Sequence, residues 1–228
     1  MRLAFFVDGS HQRSTQTGGY GVVWNRYATA PDQAQLVGKA VALSGEALSS
    51  GLCELLAIIE GLHLMKTEFT RMMAARVGRE HGVIVEATGM LFSDSRTNLD
   101  VLQRGTCAQS LYMKLVEACF EAAHELQTVP GLRVSLELRW VPGRVPSRLL
   151  VGSHNWAHRL GWWAREFQVS GMYVRAAGGE EEQARVDADA KETFWAKFME
   201  KEGLMAPVDE GVNVEEERWE VAWVAEDW

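Results

Sequence analysis

Hydrophobic and polar positions alternate in a way that predicts strands first and helices later. Leu3–Val7 is a short unbroken apolar run, the pattern of a strand buried on both faces, and it runs into Asp8-Gly9-Ser10. A polar stretch, His11–Thr17, then leads into "GGYGVVW", which predicts a hairpin to a second strand near Gly19–Trp24. Ala34–Leu43 predicts a third strand. Ser49 and Ser50 are candidate N-caps for a helix that stays apolar for four turns, where from Cys53 to Met65 only Glu54, Glu60 and His63 are polar. "VIVEATGMLFSDS" predicts a fourth strand ending on Asp94, with Gly89 as a bulge or break. Thr106–Gln127 is amphipathic with a helical period. Leu132–Val141 alternates as a half-exposed strand, and Pro142–Gly152 reads as a loop rich in Pro, Gly and Arg. Ser153–Gln168 predicts a helix whose core stripe is Trp156, Leu160, Trp163 and Phe167. The order β-β-β-α-β-α-β-α places the chain in the α/β class, with a mixed sheet flanked by helices. No internal repeat is evident.

Composition adds boundaries. At 228 residues and 47% hydrophobic content the chain holds enough apolar mass for a large domain, or a domain with an appendage. No apolar run approaches the roughly 18 residues of a membrane-spanning helix, and the start lacks a leader pattern. Cys53, Cys107 and Cys119 are odd in number and lack CxxC spacing, which argues against a disulfide framework or a structural zinc site. These features lead to the expectation of an intracellular protein (nuclear, cytoplasmic or mitochondrial) without membrane association. The net charge of −8 is uneven: residues 170–228 hold 16 of the 31 acidic and 6 of the 23 basic side chains, leaving the remainder slightly positive. A near-neutral body with an acidic tail is compatible with a nucleic-acid partner.

Three acids carry the candidate chemistry. Asp8 closes the first apolar run, Glu54 lies in the first turn of the first long helix, and Asp94 closes the fourth strand. Each has a local explanation: a turn cap for Asp8, complementarity to the helix dipole for Glu54, an N-cap for Asp94. If strands one and four are neighbours, however, the three converge, and three carboxylates do not stay ionised together without cations.

With these positions in view, the chain resembles the type 1 ribonuclease H family, in particular the fungal and retroelement RNase H domains. The resemblance rests on Asp8-Gly9-Ser10 followed by Gly18–Val23, "CELLAIIEGL" (Cys53–Leu62), "SDSRTNL" (Ser93–Leu99), "WVPGR" (Trp140–Arg144) and "SHNWAHRLG" (Ser153–Gly161), in that order. It spans roughly residues 1–168. It implies an RNase H-like fold: a mixed five-stranded sheet, its first three strands antiparallel, with helices on its faces. It also implies an endonuclease that cuts the RNA strand of RNA–DNA hybrids through two Mg²⁺ or Mn²⁺ ions held by Asp8, Glu54 and Asp94. The family's fourth carboxylate falls on His158, an imidazole that weakens a Mg²⁺ site more than a Mn²⁺ site. The family's mobile-loop histidine falls on Arg144, which binds phosphate but does not exchange protons at neutral pH. Ser10, Ser50, Ser95, Arg144 and Asn155 are the candidate substrate contacts, and His154 is a candidate proton shuttle.

His154 and His158 also stand at the i, i+4 spacing that chelates zinc, although the sequence offers no evident third ligand. DEDD-type exonucleases carry a second acid two residues after the first, where this chain has Ser10, and transposase-type cores lack the early Gly-Ser hairpin. The competing reading is a weakened or inactive RNase H-like module that binds or scaffolds nucleic acid. Residues 169–228 are expected to form an acidic extension, with a helix at about 180–202 and a tryptophan-containing acidic tail that packs on the main domain or binds a protein partner.

Overall fold

A computed structural model describes residues 1–26, 35–76, 84–141 and 151–176. Along these the elements are β1 (Arg2–Gln12), β2 (Thr17–Arg26), β3 (Gln35–Ser44), α1 (Ser50–Ala74), β4 (Val85–Ser93), α2 (Arg96–Arg104), α3 (Ser110–Leu126), β5 (Leu132–Trp140), α4 (Val151–Phe167) and β6 (Gly171–Ala176). The strands form one sheet in the order β5-β4-β1-β2-β3-β6. β1, β2 and β3 pair antiparallel, while β4 runs parallel to β1 and β5 parallel to β4. This is the mixed α/β class expected from the sequence, with six strands in place of five. The sixth arises because the chain turns back after α4 and lays residues 171–176 antiparallel along β3.

β1 is buried on both faces, and its period of two divides the core. Leu3, Phe5 and Val7 pack with α1 and α3, whereas Ala4 and Phe6 pack with α4. α1 contributes more to the larger core than any other element, through residues such as Leu55, Leu56, Ile58, Ile59 and Leu62, all nearly inaccessible to solvent. Among the described residues no helix is long and apolar enough to cross a membrane. All three cysteines are free thiols.

Four local expectations are corrected. β1 does not stop at Val7: it continues through Asp8 to Gln12, because β2 still offers it a pairing edge. β4 passes through Gly89 without a bulge; the missing side chain makes room for Met65 of α1. The helix that the stretch after Asp94 could begin does form, as α2, but Ser95 rather than Asp94 stands at its N-cap; it ends at Gly105 with φ of +68°, a left-handed cap conformation that favours glycine, before α3 begins. Last, the buried stripe of α4 is His154, Ala157, Leu160, Gly161 and Ala164, while Trp156 and Trp163 flank it half-buried. Small residues win that face because α4 lies very close to the sheet. The expected helix at about 180–202 and the acidic tail lie outside the described residues.

Candidate metal centre

The site forms where β1 outruns β4. Parallel pairing between them ends at Phe6 with Phe92, while β1 continues against β2. Asp8, opposite Gly21 on β2, therefore projects from the α4 face of the sheet just past the end of β4, and it is only 2% exposed. Asp94 follows the last residue of β4. Its carbonyl is fixed by the backbone N–H of Arg96 at 2.9 Å and by the indole N–H of Trp140 at 3.1 Å.

Glu54 arrives from the other side. Ser49 caps α1, accepting from the Leu52 backbone N–H at 3.2 Å. Asn98 of α2 then clamps the first turn: its amide donates to the Gly51 carbonyl at 2.9 Å, and its own carbonyl accepts the Tyr112 hydroxyl at 2.5 Å. This turn rests directly on β1 at Gly9, where a Cβ would lie 2.6 Å from the Cys53 carbonyl carbon. Glycine there also brings the Gly9 N–H to the Glu54 carboxylate, which accepts from it.

α4 closes the site. A Cβ at Gly21 would overlap the Ala157 carbonyl oxygen and lie 2.8 Å from Leu160 Cβ, so the helix seats on β2 only because the position is glycine. Seated there, α4 presents a stripe at i, i+4, i+7 and i+11: His154, His158, Gly161 and Arg165. The Nδ1 of His158 is hydrogen-bonded to Asp8 Oδ2 at 2.7 Å, while its side chain remains 61% exposed. His154 is buried, with Nε2 3.5 Å from Asp94 Oδ2. Arg165 donates to the Ser10 hydroxyl at 3.0 Å.

The electrostatics are those of crowded acids. Burial pushes the Glu54 carboxyl well above the usual carboxylate range, and the neighbouring Asp8 and Asp94 add to this. Burial also raises Asp8, against the pull of its His158 hydrogen bond. Asp94 goes the other way: burial would raise it, but hydrogen bonding and charge from His154, with a hydrogen bond from Asp8, hold it below its usual value. The Asp8 hydrogen bond raises His158. Glu54 Oε2 is buried without a hydrogen-bond partner, a costly arrangement for a protein atom alone. Ligand atoms of Asp8, Asp94 and His154 lie within 4.8 Å of one another. An orphaned carboxylate oxygen beside converging hard oxygen donors fits divalent cations.

The structure thus brings together Asp8, Glu54, Asp94, His154 and His158. Ser10 is buried beside them as the partner of Arg165. Ser95 is half-buried at the N-cap position of α2, where its backbone N–H donates to Ser93 Oγ at 3.1 Å. Ser50 and Asn155 are exposed, and Ser49 rather than Ser50 is the cap. Arg144 lies outside the described residues. Sequence reasoning missed the burial of His154 against Asp94, the Asn98–Tyr112 clamp, Arg165, and Trp140, which stands 51% exposed beside Asp94. The helical spacing of positions 154, 158, 161 and 165 was the available signal for Arg165; the tryptophan stripe masked it.

No family model matches the chain, and no curated protein matches its sequence. Among solved structures it is similar to the N-terminal RNase H domain of Rv2228c from Mycobacterium tuberculosis, studied as a fusion with maltose-binding protein, at a TM-score of 0.46 and 19% identity over 72% of this chain and 94% of that one. It is also similar to RNase H1 from the halophilic archaeon Halobacterium salinarum NRC-1, at a TM-score of 0.44 and 16% identity over 73% of this chain and 98% of that one.

Proposed function

We propose that the chain is a metal-dependent endonuclease of ribonuclease H type, hydrolysing the RNA strand of RNA–DNA hybrids. The observation that carries this reading is the meeting of three carboxylates from three separate elements, two of them raised by burial and by one another. The five motifs of the type 1 ribonuclease H family, in their order along the chain, support the substrate class.

Asp8, Glu54, Asp94 and His158 would hold two Mg²⁺ or Mn²⁺ ions, which when bound supply Lewis acidity and an activated water. The chain's own residues do the rest. Asp8 is central, since it hydrogen-bonds His158 and also interacts with both other acids. Gly9 and the Asn98–Tyr112 clamp fix the approach of Glu54 to Asp8. Arg165 orients Ser10 and places a cation beside the site, where phosphate would pass. The exposed ring of Trp140, held through its N–H to the Asp94 carbonyl, offers a surface on which a nucleotide can stack next to the scissile position. Selection for RNA would rest on shape and the 2′-hydroxyl rather than on base edges.

The test is incubation of the purified protein with labelled RNA–DNA hybrid, single-stranded RNA and double-stranded DNA, with Mg²⁺, Mn²⁺ or chelator. The expected result is metal-dependent cleavage of the RNA strand of the hybrid, lost in Asp94→Asn with the fold intact. Hybrid binding that is indifferent to metal, with no cleavage, would identify a binding module instead.

A further inference from the structure

His154 differs from every other group at the centre. It is an imidazole buried to 4% exposure, facing acids, and its Nδ1 has no hydrogen-bond partner. Its Nε2 stands 3.5 Å from Asp94 Oδ2, long for a hydrogen bond between these groups. Two donors that share one ion with bonds of about 2.1 Å stand roughly 3–3.5 Å apart, so the spacing suits a common cation better than a direct contact. Asp8 completes the set within 4.8 Å. The ligands that His154 lacks on its own helix are thus offered by Asp8 and Asp94, from the neighbouring strands β1 and β4.

We infer that His154 is a direct metal ligand, and that the ion shared by Asp8, Asp94 and His154 is a nitrogen-ligated Mn²⁺ rather than Mg²⁺. The inference rests on the metal-dependent reading of the same centre and assigns it one further residue and a metal preference. Imidazole favours borderline transition ions, whereas Mg²⁺ takes oxygen donors and keeps its waters. His158 is the lesser contributor to this preference. It is solvent-exposed, and its Nδ1 is engaged by Asp8 at 2.7 Å, whereas the contact of His154 to Asp94 is longer, at 3.5 Å.

The experiment uses the full chain loaded with Mn²⁺ alone, without nucleic acid. Electron spin-echo modulation reports ¹⁴N bound to Mn²⁺, and calorimetry gives Mn²⁺ and Mg²⁺ affinities. In the parent and in His158→Ala the ¹⁴N modulation is expected to be present. When His154→Ala or His154→Asn is added to His158→Ala it should vanish, and His154→Ala alone should bind Mn²⁺ about tenfold more weakly with Mg²⁺ affinity changed less than about twofold. Absence of ¹⁴N modulation from Mn²⁺-loaded His158→Ala overturns the assignment, whether or not the His154 variants fold. So does modulation that survives in the His154→Ala/His158→Ala double variant, or a parent that takes up no Mn²⁺. Hybrid cleavage is scored separately: a protein with ¹⁴N-ligated Mn²⁺ and no cleavage would refute the nuclease reading alone, and cleavage without the nitrogen signature would refute the ligand alone.

Discussion

Replacing Asp8 by Asn should stabilise the protein when no cation is present. The donor oxygens of Asp8 and Asp94 lie within 4.8 Å. Two full charges at that separation repel by about 3.5 kcal/mol at an effective dielectric constant of about 20. Glu54 adds to the repulsion from its buried position. Against this, the Asp8→Asn protein loses the charge of the His158 hydrogen bond, worth about 1 kcal/mol for a half-exposed imidazole screened by water. Proton uptake by the raised carboxyls already relieves part of the repulsion in the parent. The net gain is expected to be about 1–2 kcal/mol near pH 8, or about 4 °C in Tm. The pH dependence has a definite sign. Asp8 is raised above its ordinary 3.8 in the folded protein, so from about pH 4 upward the native state holds more protons than the unfolded chain. Parent stability therefore falls as pH rises through that interval, and stays reduced above the folded pKa. The Asp8→Asn protein lacks this component, so its advantage should be absent near pH 4 and grow as the pH rises. Mn²⁺ should reverse the order by stabilising the parent more. Urea titrations with chelator at pH 4, 6 and 8, then with Mn²⁺, read all of this. An Asp8→Asn variant no more stable than the parent at pH 8 would refute the stored-repulsion argument, as would an equal advantage at every pH.

Gly21→Ala should cost about 2–3 kcal/mol in urea denaturation, because the new methyl group overlaps the Ala157 carbonyl and moves α4 off the sheet; a silent substitution would show that the helix seats elsewhere. Asn98→Ala should cost about 1–3 kcal/mol by removing the partners of the Gly51 carbonyl and the Tyr112 hydroxyl, and it should weaken Mn²⁺ binding because the first turn of α1 carries Glu54. Trp140→Ala should weaken hybrid affinity by about tenfold, the loss of one stacked base, while Trp140→Phe should retain most of it; equal affinity of all three proteins in a filter-binding assay would remove Trp140 from the interface.

Much of the fold was legible because β1, β2 and α1 announce themselves by period. The apolar run at Leu3–Val7 is buried on both faces as expected. The meeting of Asp8, Glu54 and Asp94 was legible as three costly acids at element boundaries. Other features are set by tertiary contacts that leave no local trace. Gly89 reads as a strand break until Met65 is seen to occupy its side-chain space. The tryptophans of α4 read as its core face because they are its largest apolar residues. The close approach to Gly21 and Gly161 instead selects the small ones. His154 read as a polar residue at a helix start because nothing in the sequence shows that α4 sets it against the end of β4. The sixth strand was hidden in a stretch too short to show a period.

The hydrogen bond between Asp8 and His158 joins positions 150 residues apart, which bears on when the centre comes into being. A chain still emerging from the ribosome can form β1 to β4 and gather Asp8, Glu54 and Asp94 while lacking every residue of α4. That partial structure holds the mutually repelling acids without the imidazoles that face them. Closing so long a loop is also entropically costly and slow. Completion of the centre should therefore be the last kinetic event of folding: in a refolding experiment, Mn²⁺ uptake should trail the recovery of secondary structure, appearing only when α4 docks.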